Sequence, residues 1–309
     1  MKKHLVVVGS INMDLVVRTP RMPLPGETLL GSDFHTIPGG KGANQTVAVA
    51  RQGAAVKMIG CVGNDDFGQA QWRCLNAEGI DLSLLQVDAQ QATGIAVIMI
   101  DQNGQNSIIV SPGANSAVSV AQINAAKETI AQAAMLICQL EVPIESVIQA
   151  IELAHHCQTP TLLNPAPASR ELPPALFEKV TYLILNETEA EILTGESVSD
   201  VMSAKTAAMR LRDAGAQTVI LTLGAHGAVV AYDGELYHEP ALSVKAVDTT
   251  AAGDTFVGCF AAAISEGLAV PDAVRLATHA SAISVTKLGA QPSIPTRQEV
   301  EQFIAQRRD

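Results

Sequence analysis

The stretch Val247-Asp248-Thr249-Thr250-Ala251-Ala252-Gly253-Asp254-Thr255-Phe256 is the segment whose residue types and spacing point most directly to chemistry. A polar run gives way to small residues and a glycine, an acidic residue follows, and an apolar helical pattern begins. Such a turn aims backbone N–H groups at an anion, because the first turn of a helix leaves them without acceptors. It also sets one carboxylate, Asp254, at the mouth of that anion site. An anion cradle beside a candidate general base is what phosphoryl transfer needs. Taken alone, the stretch is better read as an ordinary strand-to-helix turn capped by Asp254; the rest of the chain reverses that preference.

Gly39-Gly40-Lys41-Gly42-Ala43-Asn44-Gln45 also opens a helix. It is not a Walker-type phosphate loop, because His35 and Gly42 stand where that motif needs a glycine and a Ser or Thr. It is not GxGxxG either, since Gln45 holds the last position. Close approach of backbone to a ligand, with Lys41 and Asn44 offering hydrogen bonds, stands beside a tight turn with a solvated lysine. Asn12 and Asp14 follow the first strand and, two apart on extended chain, face the same way. An amide beside a carboxylate can bind vicinal hydroxyls of a sugar, although two turn residues would read the same. Glu141 follows an apolar strand and precedes Pro143, as a strand-end site residue or as an acidic start to a helix. Asn186 and Glu189 fit a capping box and equally fit residues that organise magnesium-bound water and phosphate oxygens. Thr222-Leu223-Gly224-Ala225-His226-Gly227 suits a flat loop under a nucleotide or a plain turn between strands.

Stepping outward, the elements that must position these groups follow an α/β rhythm. Leu5–Val8 reads as a buried strand, and the Gly-Lys motif opens a helix running to about Arg51. A strand at 56–59 leads to the loop Gly63-Asn64-Asp65-Asp66-Phe67-Gly68 and a helix to about Glu78. Further on, the pattern predicts helices at 119–132, 143–156, 187–194, 200–213 and 254–266. Strands are expected at 134–140, 161–164, 182–185, 218–223 and 229–231. Early strands at about 14–17, 28–36, 93–100 and 106–111 break that rhythm, the last two joined by an Asn103-Gly104 hairpin turn. The expected fold class is α/β, a doubly wound, mostly parallel sheet flanked by helices, with a small β-sheet lid at about 14–38 and 93–112. Open α/β sheets bind ligands outside the carboxyl ends of their strands, where such a lid would lie.

The 309 residues allow one large α/β domain, and an apolar fraction of 48% with few aromatics implies a core of Val, Ile, Leu and Ala. A net charge of −11 argues against nucleic-acid and anionic-membrane partners. The five cysteines, odd in number and without a CxxC, read as reduced core thiols of a cytoplasmic protein. Lys2 and Lys3 precede an apolar run too short for a signal peptide, and nothing approaches a transmembrane helix.

Together these segments resemble the ribokinase family of ATP-dependent carbohydrate kinases, the PfkB-type sugar and nucleoside kinases. The resemblance runs through Gly9-Ser10-Ile11-Asn12-Met13-Asp14, the Gly39-to-Gln45 motif, Gly113-Ala114-Asn115, Gln139-Leu140-Glu141 and Leu163-Asn164-Pro165-Ala166-Pro167-Ala168. It continues through Asn186-Glu187-Thr188-Glu189, the 248–256 stretch and Gly289-Ala290-Gln291-Pro292-Ser293, in family order over nearly the whole chain. It implies a single ribokinase-like domain over 1–309 that phosphorylates D-ribose at its 5-hydroxyl, with 2-deoxyribose, another sugar or a nucleoside as alternative substrates. A sugar-binding or regulatory protein without chemistry is the reading from another class, and the intact Gly253 and Asp254 argue against it. By the same resemblance Asn12, Asp14, Gly40, Lys41, Asn44 and Glu141 hold the sugar, and Asp254 is the general base. The N–H groups of Ala251, Ala252 and Gly253 form the anion hole. Asn186 and Glu189 serve phosphate and Mg²⁺, while Thr222, Leu223, Gly224, Ala225, His226, Gly227 and Thr278 cradle ATP. A K⁺ site is implied at Asp248, Thr250, Ser284, Lys287, Gly289 and Ser293. A homodimer through the lid is expected on the same ground.

Overall fold

Leu5, Val6, Val7 and Val8 show no inside–outside alternation because all four are fully buried, in a parallel sheet covered on both faces. The computed structural model describes residues 3–307, so Lys2 of the basic pair lies outside the described residues. The chain opens with β1 (Leu5–Val8), β2 (Asn12–Arg18), β3 (Ser32–Gly39), α1 (Lys41–Arg51), β4 (Val56–Gly63), α2 (Asp66–Ala77) and β5 (Leu85–Asp88). It then forms β6 (Gly94–Ile100), β7 (Asn106–Ser111), α3 (Val120–Ala125), α4 (Lys127–Ala131), β8 (Met135–Cys138), α5 (Ile144–His156) and β9 (Thr161–Leu163). The second half carries β10 (Tyr182–Asn186), α6 (Glu187–Thr194), α7 (Val201–Asp213), β11 (Thr218–Thr222), β12 (Ala228–Tyr232) and β13 (Glu235–Glu239). It ends in α8 (Ala252–Ser265), α9 (Val270–Ser284) and α10 (Arg297–Ala305).

Nine strands form the main sheet in the order β13-β12-β11-β10-β9-β8-β1-β4-β5, parallel except for the antiparallel β12 and β13 at one edge. A separate sheet has the order β3-β2-β6-β7. The fold class read from the sequence is therefore the one observed. Successive residues of each central strand serve two different cores. Val6 and Val8 pack with Ile123, Val147, Ile151 and Leu211 on one face. Leu5 and Val7 pack with Val47, Phe256, Phe260 and Val274 on the other.

Several expected elements differ in detail. The helix expected at 119–132 is two pieces, since the Ala126 N–H is shared between the Gln122 and Ile123 carbonyls and closes a turn there. The strand expected from residue 28 begins only at Ser32, because Glu27 is folded back onto Leu24 N and the Arg21 guanidinium. β4 runs on to Gly63, past the predicted end at 59. The edge strands β5 and β13 and the helices α9 and α10 were not among the expected elements. Asp233-Gly234 between β12 and β13 is a hairpin signal. Thr296 and Glu299 make a capping box at the start of α10, so both were open to sequence reading. Cys61, Cys138 and Cys259 are buried as expected, whereas Cys74 and Cys157 are only half-buried; all five are free thiols.

Helix α8 must come close to α1, because both carry site residues. Gly258 permits this: a Cβ there would lie 2.4 Å from Ala48 Cβ and 2.7 Å from the Gln45 carbonyl oxygen. Gly258→Ala is expected to destabilise the protein by about 1–3 kcal/mol through overpacking. An unchanged denaturant midpoint would show that the helices have room to separate.

Candidate active site

The strand order reverses at β1. The chain passes from β1 outward to β4 and β5, then returns to β8 on the other side. The crevice beyond the carboxyl ends of β1 and β8 is thus the switch point where an open α/β sheet leaves room for a ligand. Ser10 follows β1 and Glu141 follows β8, and the Ser10 hydroxyl donates to Glu141 Oε2 at 2.5 Å. The same oxygen accepts the Lys41 backbone N–H at 3.2 Å. Gly42 sits so close to the turn after β1 that a Cβ would fall 2.6 Å from Gly9 C and Ser10 N. Gly40, at φ +92, turns the chain from β3 into α1.

Asp254 lies in the first turn of α8 and is buried. Its Oδ2 accepts from Asn44 Nδ2 at 2.9 Å and its Oδ1 from Gln45 Nε2 at 3.0 Å, both on α1. Gln45 Nε2 also donates to Asn164 Oδ1 at 3.0 Å, Gln139 Nε2 donates to Gln45 Oε1 at 2.6 Å, and Asn164 Nδ2 donates to the Ile184 carbonyl at 2.9 Å. The carboxylate is thereby seated on a buried amide network reaching β10. Burial raises the Asp254 carboxyl above the ordinary carboxylate range, against the pull of Lys41, Asn44 and Gln45. A carboxylate of raised basicity in a fixed position suits proton abstraction.

Asn12 and Asp14 stand on β2 at the base of the small sheet and are both buried. Gly39 backs the Asp14 carboxylate, since a Cβ there would lie 2.3 Å from Asp14 Oδ2. Burial, then the charges of Glu141 and Asp254, push the Asp14 carboxyl up to about 7. Between its ordinary value of 3.8 and about 7 the folded state holds a proton the unfolded state has lost. Stability contributed by this group therefore falls as pH rises through that window. Asp14→Asn is expected to gain stability relative to the parent from about pH 4 to about pH 7. A difference in denaturant midpoint that stays constant with pH would overturn this.

Lys41, Asn186, Glu189, Thr222, Ala251, Gly253 and Asp254 line one cavity of about 190 Å³. Asn186 and Glu189 do form the capping box, Glu189 N donating to Asn186 Oδ1 and Asn186 N to Glu189 Oε2, each at 2.9 Å. Glu189 keeps its other oxygen for the cavity. Burial raises its carboxyl, opposed by the Asn186 N–H and Lys41. Burial works to lower the Lys41 ammonium, but Asp254, Glu141 and Glu189 hold it above its ordinary value. Lysine is thus the charged counterweight to three carboxylates.

Ala251 caps α8 in the left-handed region at φ +60, which turns the chain so that its first N–H groups face outward. The Ala252 N–H is already donated to the Thr249 carbonyl at 3.2 Å, whereas those of Ala251, Gly253 and Asp254 have no protein acceptor among the described residues. The free donors therefore differ from the expected set of Ala251, Ala252 and Gly253 in one member, Asp254 standing in place of Ala252.

The residues expected on the nucleotide side divide. Thr222 lines the cavity, and Gly224, Ala225 and His226 form an exposed single turn. The Leu223 side chain is buried in the core and offers only its backbone to this loop. Thr278 donates its hydroxyl to the Val274 carbonyl at 2.9 Å on its own helix. Asp248 binds Thr250 N and Oγ1 through Oδ1 and Gly289 N through Oδ2. Burial would raise its carboxyl, but these hydrogen bonds hold it below the ordinary range. The Lys287 ammonium pairs with Glu299 at 2.6 Å, and Ser284 and Ser293 turn their hydroxyls onto nearby carbonyls. That leaves one carboxylate and backbone or hydroxyl oxygens, a donor set suited to a hard cation.

Sequence reasoning assigned no role to Gln45, Gln139 and Asn164, which position Asp254. The available signals were the place of Gln45 in the Gly-Lys motif, Asn164 before Pro165, and Gln139 as a polar residue ending an apolar strand.

A sequence profile described as pfkB family carbohydrate kinase matches residues 2–297. The ribokinase of Haemophilus influenzae is 44% identical over 304 residues, which cover 98% of this chain and 99% of that protein. A deoxyribokinase of Salmonella typhi is 38% identical over 301 residues, 97% of this chain and 98% of its own. Among solved structures, Arabidopsis thaliana ribokinase complexed with ribose and ATP superposes with a TM-score of 0.90 at 31% identity, covering 98% of this chain and 99% of that one.

Proposed function

Because the chain belongs to the pfkB family of carbohydrate kinases, we propose that it transfers the γ-phosphoryl group of ATP to the 5-hydroxyl of D-ribose, giving ribose 5-phosphate and ADP. The observation that carries this reading is the seating of Asp254. One buried carboxylate stands between the sugar-side groups Asn12, Asp14, Lys41, Asn44 and Glu141 and the free N–H groups that open α8.

Asp254 takes the proton of the 5-hydroxyl as its oxygen attacks the γ-phosphorus. The new O–P bond forms as the bond to the β-phosphate oxygen breaks, and ADP leaves with that electron pair. Asp254 returns its proton to solvent after the products leave. The N–H groups of Ala251, Gly253 and Asp254 and the Lys41 ammonium face the negative charge of the group in flight, where positioning and charge neutralisation supply most of the rate. Asn186 and Glu189 fit a water-mediated hold on Mg²⁺, which would neutralise charge on the phosphate oxygens. Asp248, Thr250 and the carbonyls of Ser284, Lys287, Gly289 and Ser293 fit K⁺, which would lend positive charge beside the start of α8.

The chain acts as one domain whose small sheet, at about 14–38 and 93–112, closes over the cleft and excludes water. That sheet bares Phe34, Ile108, Ile109 and Val110, which supports a homodimer formed through it. No helix among the described residues is long and apolar enough to cross a membrane, in keeping with a cytoplasmic enzyme.

ADP release measured over a panel of pentoses, hexoses and nucleosides, with and without K⁺, tests the assignment. D-ribose should give the highest kcat/KM. A higher value for 2-deoxyribose would favour the second reading, which the 38% identical deoxyribokinase keeps in view. Sugar binding with no ADP release would favour a non-catalytic protein.

A further inference from the structure

Gly113-Ala114-Asn115 has no part in the reaction above, yet Asn115 is almost fully buried and its side chain ends on the segment that carries Asn12. The Ile11 N–H donates to Asn115 Oδ1 at 2.8 Å. Asn115 Nδ2 donates to the Ile11 carbonyl at 3.1 Å and to Asn12 Oδ1 at 2.7 Å. A backbone N–H can only donate and a carbonyl can only accept, so the Asn115 amide has one permitted orientation. Its N–H group must face Asn12, and Asn12 must meet it with oxygen. Asn12 Nδ2 is then turned away, with no protein acceptor among the described residues and without being sealed from solvent. Gly94 backs the pair: a Cβ there would lie 2.3 Å from both Asn115 Nδ2 and Asn12 Oδ1. Gln71 holds the Asn12 carbonyl from the other side.

We propose that Asn115 is a positioning residue that sets the polarity of the sugar site. It keeps Asn12 as a hydrogen-bond donor beside Asp14 as an acceptor, a pair matched to two neighbouring hydroxyls. One hydroxyl oxygen accepts from Asn12 Nδ2, and the other hydroxyl donates a hydrogen bond to an Asp14 carboxyl oxygen. The inference rests on the carbohydrate-kinase reading and names the origin of its hydroxyl recognition.

Asn115→Asp tests it. A carboxylate still accepts the Ile11 N–H but offers no N–H to Asn12. The Asn12 amide then turns over to donate to it, and the sugar meets two acceptors in place of a donor and an acceptor. The KM for D-ribose is expected to rise about 10- to 100-fold, the scale of one mismatched buried hydrogen bond. The KM for ATP should be unchanged and kcat should stay within a few fold. In an Asn12→Ala background, Asn115→Asp should have no further effect on sugar KM, because the group it acts through is gone. An equal rise in both backgrounds, or an unchanged sugar KM, overturns the proposal while the parent enzyme still turns over ribose. A parent with no sugar turnover sinks the kinase reading itself, and this inference with it. Should Asn115→Asp fail to fold, Gly94→Ala disturbs the same pair from behind, and the same two backgrounds decide.

Discussion

Asp254→Asn is expected to lower kcat about 10²–10⁴-fold at saturating ribose and ATP, the usual scale for loss of a general base. The amide has nearly the shape of the carboxylate but cannot take the hydroxyl proton. It also puts an N–H group opposite a donor, Asn44 Nδ2 or Gln45 Nε2, since both now donate to the carboxylate. A denaturant midpoint measured beside the ADP-release rate separates that local conflict from the lost chemistry. The parent enzyme should also lose activity as pH falls, because the base works only when deprotonated. Burial puts the midpoint of that limb above the ordinary carboxylate range. Turnover near the parental rate in Asp254→Asn would remove the residue from its assigned role.

Asp14→Ala is expected to raise the KM for D-ribose about 100-fold or more, with a smaller fall in kcat. A site built to hydrogen-bond a hydroxyl gains affinity from that bond and rejects analogues lacking it, because its own buried polar groups are then left unpaired. Asp14 makes no hydrogen bond to the amide network that seats Asp254, so its loss acts mainly on binding, which appears in KM. The same substitution should narrow the preference for ribose over 2-deoxyribose, since no carboxylate is left to be orphaned. An unchanged preference would place the discriminating group elsewhere.

Much of the site was legible residue by residue. The two-residue spacing of Asn12 and Asp14 put both on one side of an extended segment, and β2, which begins at Asn12 rather than at about 14, carries them so. Asn186 and Glu189 were readable as a capping box because a cap is a contact within one turn. Asp254 was readable as the first acidic residue of a helix for the same reason. The helix at 119–132 was over-extended because its break at Ala126 comes from a shared backbone hydrogen bond with no breaker residue to announce it. Thr278 and Lys287 show the limit of a motif: the first bonds its own helix and the second pairs with α10, so neither side chain could be placed by its match alone.

Local order, then, was written in the chain itself. Apolar runs made the buried strands, 3.6-residue periodicity made the helices, and glycine marked the turn at Gly40 and the close approach at Gly42. Charge state and hydrogen-bond polarity were decided only by the tertiary structure. Asp254 meets Asn44 across 210 positions of sequence, and Asn12 meets Asn115 across 103. Asp14 acquires its carboxyl near 7 from burial and from two carboxylates on other elements. Such properties depend on desolvation and on neighbours through space. No spacing along the chain encodes them until β1, β8, α1 and α8 converge on one crevice.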